Sequence, residues 1–100
     1  MTGTLVTLHG GEGAWPHWEM HPQGDEVLVL LEGTIRLIFE YPDGQLKAFE
    51  PQPGATIVAP RGVWHWAEAQ RGVKMLFMTY GAGTTHRAVT DAHRAAARTL

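Results

Sequence analysis

Short runs rich in Val, Ile, Leu, Thr, Phe and Trp recur along the chain, and Gly or Pro interrupts them roughly every eight to twelve residues. That rhythm predicts an all-β sandwich or barrel, with strands at 4–8, 14–21, 26–31, 34–41, 45–50, 56–59, 64–69 and 73–80. Side chains of a strand alternate between its faces. In 14–21 this puts His17, Glu19 and His21 on one face and Trp18 and Met20 on the other. In 64–69 it sets His65 opposite Trp64 and Trp66. In 26–31 Glu26 shares a face with Leu28 and Leu30, while Val27, Val29 and Leu31 point the other way. A strand apolar on both faces must be covered on both. A second copy of the chain, in a homodimer, is the expected cover. Cover from the chain's own N-terminal strand and C-terminal helix is the alternative.

The punctuation has its own chemistry. Tyr41-Pro42-Asp43-Gly44 reads as a hairpin turn, because Pro pre-sets φ and Gly accepts positive φ. Glu32-Gly33 predicts a tight connection, and Pro51, Pro53 and Gly54 a loop. The tail differs: Thr90 can cap a short helix over 91–98, with Asp91 near its start and Arg98 near its end to suit the dipole. So short a helix must dock against the body to persist.

Composition narrows the class. One hundred residues with 44% hydrophobic positions suit one domain with one core, spanning 1–100. A net charge of −2 with scattered basic residues argues against a nucleic-acid surface. No apolar run approaches membrane-spanning length, the longest being 27–31. With no cysteine, disulfides, zinc–thiolate sites and cysteine nucleophiles are excluded. The first residues lack the layout of a secretion signal, so a cytoplasmic protein is expected.

Two spaced patterns bring in candidate chemistry. The first is Glu19-x-His21-x4-Glu26-x6-Gly33, and the second is Gly54-x5-Pro60-x-Gly62-x2-His65. Carboxylate with imidazole is a ligand mixture that first-row divalent metals accept. Glu26 heading an apolar face costs several kcal/mol unless it is paired or metal-bound. Glu19 and His21 lie about 6.6 Å apart along a strand, so they reach one ion only if it sits between them. Taken singly, each of these residues is more simply a solvated or core side chain. Their joint spacing is what points to a site.

The two patterns resemble the motifs of the cupin superfamily, Gly-x5-His-x-His-x3,4-Glu-x6-Gly and Gly-x5-Pro-x-Gly-x2-His-x3-Asn. Gly11-x5 leads into His17, but Glu26-x6-Gly33 sets the register so that His21 takes the second histidine position and Glu19 the first. The second motif matches from Gly54 to His65 and departs at its end, where Ala69 stands for Asn. The stretch from Trp18 to Glu26 (Trp-Glu-Met-His-Pro-Gln-Gly-Asp-Glu) is similar to that of small single-domain cupins of unassigned activity. The resemblance covers about residues 11–80, with motif 1 at about 11–33 and motif 2 at about 54–69. It implies a cupin-type β-barrel (double-stranded β-helix, or jelly roll), here with a short C-terminal helix, often dimeric and with a metal inside. The implied ligands are His21, Glu26 and His65, with Glu19 in place of a histidine.

That replacement has consequences. Two carboxylates and two imidazoles neutralise a divalent ion, whereas three imidazoles and one carboxylate leave it positive; the neutral site is the weaker Lewis acid. The added oxygen favours Mn or Fe over copper, with Ni and Zn also accepted. His21, Glu26 and His65 alone already form a two-His, one-carboxylate set typical of non-haem iron. His17 is the competing first ligand, or else a polar residue at the barrel mouth. Glu19 and His65 are the candidate catalytic groups. Trp15, Phe39 and Met78 are candidate pocket walls, with plain core as the alternative. His86-Arg87 could close over the mouth toward an anionic substrate, though a solvated loop is the simpler role. His9 and His93 read as surface residues.

Two function classes follow. One is an enzyme of oxygenase, isomerase or lyase type acting on a small molecule through a divalent metal. The other is a module that holds a small ligand without turnover. A metal-free acid–base isomerase is also coherent: Glu19 beside Glu26 in an apolar barrel would raise the pKa of one carboxyl.

Overall fold

The computed structural model describes the backbone of residues 4–100 and the side chains of 13–70 and 72–100. The strands are β1 (Thr4–Ala14), β2 (His17–Met20), β3 (Glu26–Glu32), β4 (Ile35–Glu40), β5 (Leu46–Phe49), β6 (Thr56–Ala59), β7 (Trp64–Tyr80) and β8 (Thr85–Ala88), followed by helix α1 (Asp91–Ala97). All their pairings are antiparallel. Among the described residues, no helix is long and apolar enough to cross a membrane.

β7 organises the molecule. Its first part pairs with β4, from Ile35 opposite Ala69 to Glu40 opposite Trp64, and with β2 through Glu19 opposite His65. With β5 and β8 at the edges, the order of this layer is β5-β4-β7-β2-β8. The second part of β7 lies between β1 and β3, and β6 pairs with the far side of β3. One strand thus belongs to both layers of the jelly roll.

The sequence pattern predicts two strands where β7 is one. Gln70 and Gly72 carry a turn signature, but the chain stays extended, and Gln70 N–H donates to Thr34 O at 2.9 Å. The reverse happens at 14–21: Pro16 has no N–H to donate, and the strand starts afresh at His17. β8 is a strand the pattern does not predict, because Thr85-His86-Arg87-Ala88 lacks an apolar run. The Tyr41–Gly44 turn closes as its residues require, with Gly44 N–H donating to Tyr41 O at 2.8 Å.

Alternation sorts the side chains into two cores. Leu28, Leu30, Ile35, Leu37, Phe39, Ala67, Met75 and Phe77 fill the barrel. Trp18, Ile38 and Trp66 face outward from the first layer and are buried under Ala97 of α1. The reverse face of the His65 strand is therefore covered by the chain's own helix. Thr90 caps that helix, its side chain accepting from His93 N–H. His93 is no bystander on the surface: its Nδ1 accepts from Thr90 N–H at 3.0 Å and from Trp18 Nε1–H at 3.1 Å. At the other end Arg36 donates to Ala97 O and Leu100 O, at 2.7 and 2.9 Å. The expected surface position of His9 concerns a side chain outside the described ones.

Among the described residues, no such helix covers the second layer. Its outward residues on β3, β6 and β7 include Val27, Val29, Leu76 and Met78, half-buried, and Leu31, Val58 and Tyr80, exposed.

The loop between β2 and β3 carries the first motif and is pressed against the end of β7. A Cβ on Gly24 would lie 2.2 Å from Tyr80 O, which is backbone and cannot give way cheaply. Asp25 Oδ1 accepts from Arg61 N–H at 2.8 Å, and His21 O from Gly62 N–H at 3.1 Å, so the two motifs are laced together by hydrogen bonds. Gly62 holds φ of +81°, a conformation that L side chains rarely adopt. Gly24→Ala should destabilise the fold by roughly 2 kcal/mol or more, through a forced loop shift, measured as a lower denaturant midpoint at unchanged slope.

Candidate metal centre

Strand register delivers the site residues one at a time. His65 stands on β7 with Phe39 opposite it on β4 and Glu19 opposite it on β2. Glu26 opens β3 opposite Thr79. His21 follows β2 directly, where the Gly62 hydrogen bond fixes its backbone. One ligand-type atom from each of Glu19, His21, Glu26 and His65 lies within 4.8 Å of the others. His65 Nε2 is 2.9 Å from Glu26 Oε1, and His21 Nε2 is 3.1 Å from Glu26 Oε2. Glu19 Oε2 stands 4.0 Å from His21 Nε2 and 3.9 Å from His65 Nε2. His21, Glu26 and His65 are buried, whereas the Glu19 side chain is 32% exposed.

The outer nitrogens of both rings are already engaged. His65 Nδ1 faces Val63 O at 3.4 Å, a carbonyl that can accept a hydrogen bond from it. His21 Nδ1 sits 3.0 Å from Thr84 Oγ1, which can accept in the same way. Rings oriented through Nδ1 in this way turn Nε2 inward, where His65 Nε2 stands within hydrogen-bond reach of Glu26 Oε1 and would give a bound divalent ion its lone pair. Two lone pairs facing each other at 2.9 Å are stable only with a proton or a cation between them. The contact of His21 Nε2 with Glu26 has the length of a hydrogen bond but not its direction, and that nitrogen is buried with no hydrogen-bond partner. The donors converge on a common point rather than pairing off, and outer groups hold the rings as they hold metal-ligating histidines elsewhere. The residues therefore fit a divalent ion.

Burial pushes the Glu26 carboxyl up, but His21, His65 with its charge, and the Thr79 hydroxyl outweigh burial and hold it down from 4.5 to about 2. Thr79 Oγ1–H donates to Glu26 Oε2 at 2.6 Å. The raised carboxyl expected of a metal-free acid–base site is thus reversed at Glu26.

The other candidates divide. Trp15 and Phe39 border the site, their rings 6.2 and 6.0 Å from that of His65. Met78 does not: Phe77 and Thr79 face inward, so Met78 faces out. His17 is exposed on the Glu19 side, its ring 6.4 Å from that of His86, and stands outside the group of four. His86 and Arg87 lie on a strand, not a loop, and point to opposite faces. Arg87 sits 4.5 Å from the ring centres of Trp18 and Trp64 and pairs with Glu40, so it is not free to meet a substrate at the mouth. Sequence reasoning missed Thr79, Phe77 and Thr84. Thr79 had a signal, a lone hydroxyl in a strand of large apolar residues; Thr84, in a Gly-rich loop, had none.

The cupin family model matches residues 3–100. A germin-like protein of Arabidopsis thaliana (subfamily 1 member 1) is 37% identical over 57 residues, covering 57% of this chain but only 26% of that protein. The chain therefore spans about a quarter of that relative's length. A cupin-2 domain protein from Shewanella frigidimarina superposes with a TM-score of 0.60 at 28% identity, over 76% of this chain and 69% of that one. Hydroquinone 1,2-dioxygenase from Sphingomonas sp. TTNP3, solved with 4-hydroxybenzoate bound, gives 0.68 at 14% identity, over 80% and 60%.

The depressed Glu26 carboxyl makes a prediction for metal-stripped protein. A folded-state pKa below the unfolded one gives stability that is complete above about 4.5 and lost as pH falls toward about 2. Urea unfolding across that window should show a loss of roughly 3 kcal/mol in the wild type beyond that in Glu26→Gln. Parallel curves would show that Glu26 is not held as described.

Proposed function

The chain belongs to the cupin family, and from that premise we propose that residues 1–100 form one barrel domain that holds a divalent metal among His21, Glu26, His65 and Glu19 and uses it on a small molecule, in chemistry of the oxygenase type. The convergence of the His21 and His65 Nε2 atoms on a buried carboxylate, with His21 Nε2 buried and unpartnered, carries this reading. Two carboxylates and two imidazoles suit Mn²⁺ or Fe²⁺, and accept Ni²⁺ or Zn²⁺. Such an ion supplies Lewis-acid and, for iron or manganese, redox chemistry.

The chain's own residues do the rest. Val63 O and Thr84 Oγ1 face the two Nδ1 atoms and orient the imidazoles with Nε2 toward the site. Thr79 holds one Glu26 oxygen. Trp15, Phe39 and Phe77 wall the site with apolar surface and limit water on that side. The small molecule approaches beside Glu19, the most exposed of the four. A dioxygenase among the proteins of similar fold supports the reaction type. Glu26 held down to about 2 is ionised at neutral pH and has no proton to give, which counts against acid–base isomerisation without metal.

Protein purified without chelators should carry about one equivalent of metal, lost in His21→Ala and His65→Ala. Less than about a tenth of an equivalent, with no uptake of Mn²⁺, Fe²⁺, Ni²⁺ or Zn²⁺, overturns the proposal. Oxygen uptake by Fe²⁺-loaded protein against phenols and small carboxylates, abolished by His65→Ala, would mark the enzyme. A compound that raises Tm without product would mark a holding module instead.

We further propose that the apolar outer face of β3, β6 and β7 packs against a second copy. Its charged pair, Glu32 with Lys74 at 3.6 Å, lies at the rim and is complementary to itself across a two-fold axis. Sedimentation should show a dimer for the wild type and a monomer for Val58→Lys; a wild-type monomer sinks the idea.

A further inference from the structure

Glu19 differs from the other three members of the group. It is a long side chain on the exposed side of the site, and ordering it costs rotamer entropy that the buried residues have already lost to packing. Something must direct one of its oxygens inward. The register supplies a partner on each side: Glu19 lies directly opposite His65 on β7 and directly opposite His86 on β8. Cross-strand pairs of this kind have Cβ atoms about 5 Å apart, so their side chains are obliged to be neighbours. Accordingly Oε2 faces His21 and His65, while Oε1 faces His86 Nε2 at 3.7 Å. The ring of His86 stands nearly perpendicular to that of His17.

We propose that His86 is a positioning residue: it holds the outer oxygen of Glu19 so that the inner one stays directed at the metal. A third imidazole then serves the centre from the second rank, where the motif has a carboxylate in the position of a histidine. This rests on the metal-binding reading above. It assigns a role to a residue that sequence spacing leaves in a solvated loop. Carboxylates that ligate metals are themselves held by hydrogen bonds, and loss of such a partner weakens binding by roughly 10- to 100-fold.

The test is Co²⁺ binding by the full chain, followed by visible absorption and chelator competition, in wild type, His86→Ala, His86→Gln, Glu19→Ala and the Glu19→Ala/His86→Ala double variant. His86→Ala should bind at least about 10-fold more weakly, with its Co²⁺ spectrum moved toward that of Glu19→Ala. His86→Gln, which keeps a donor, should recover most of the affinity. In the Glu19→Ala background, His86→Ala should have no further effect, because the residue acts only through Glu19. Wild-type affinity in His86→Ala, or an equal loss with and without Glu19, overturns the assignment while leaving the metal centre standing. If the wild type takes up no Co²⁺ at all, the metal centre and the assignment fall together.

Discussion

A buried carboxylate sits between two imidazoles whose outer nitrogens are already taken, and much of the molecule is arranged around that fact. Glu26 would be costly at the head of an apolar strand without compensation. Compensation comes from three separate places: His21 after β2, and His65 and Thr79 from opposite ends of β7. His21 belongs to the same motif as Glu26, but His65 and Thr79 are 39 and 53 residues away in sequence. Only the closed barrel brings them together, so burial of the charge and closure of the fold depend on each other.

The two cores divide the labour. The barrel interior is filled with Leu, Ile, Phe and Met, and the site occupies its margin against Phe39 and Phe77. The second core, of Trp18, Ile38 and Trp66 beneath Ala97, lies behind the strands that present Glu19 and His65. Because Trp18 adjoins Glu19 and Trp66 adjoins His65 in the chain, packing under the helix sets the positions of the two strands that carry these side chains from behind. Arg36 and His93 tie the helix down at its two ends. A short helix that would fray alone thus acts as a backing plate for the site.

Much of this was legible in the sequence, for reasons specific to particular residues. Period-2 alternation places Glu26 with Leu28 and Leu30, and His65 opposite Trp64 and Trp66, because each strand has one wet or polar position flanked by unmistakable apolar ones. The strand ends at 56–59 and the helix cap at Thr90 could be read from Pro, Gly and Thr. Alternation failed where both faces are apolar: in 73–80 it could not say that Phe77 and Thr79 face in and Met78 out. It also failed where pairing overrides local signals, as at Gln70–Gly72, and where a strand is built from polar residues, as in β8. The cover behind Trp66 comes from α1, which the sequence pattern did not show, since contacts distant in sequence leave no trace in local periodicity.

The continuity of β7 carries a further consequence. His65 and Thr79 point to the same interior from opposite ends of β7, His65 against β2 and β4 and Thr79 against β1 and β3, so a one-residue shift of β7 against its neighbours would turn both outward together and drive Trp66 toward the interior. A misaligned intermediate would therefore lack both the His65 ring beside Glu26 and the Thr79 hydroxyl that holds its other oxygen. In this barrel the centre would act as a proofreader of strand alignment as well as a place for chemistry.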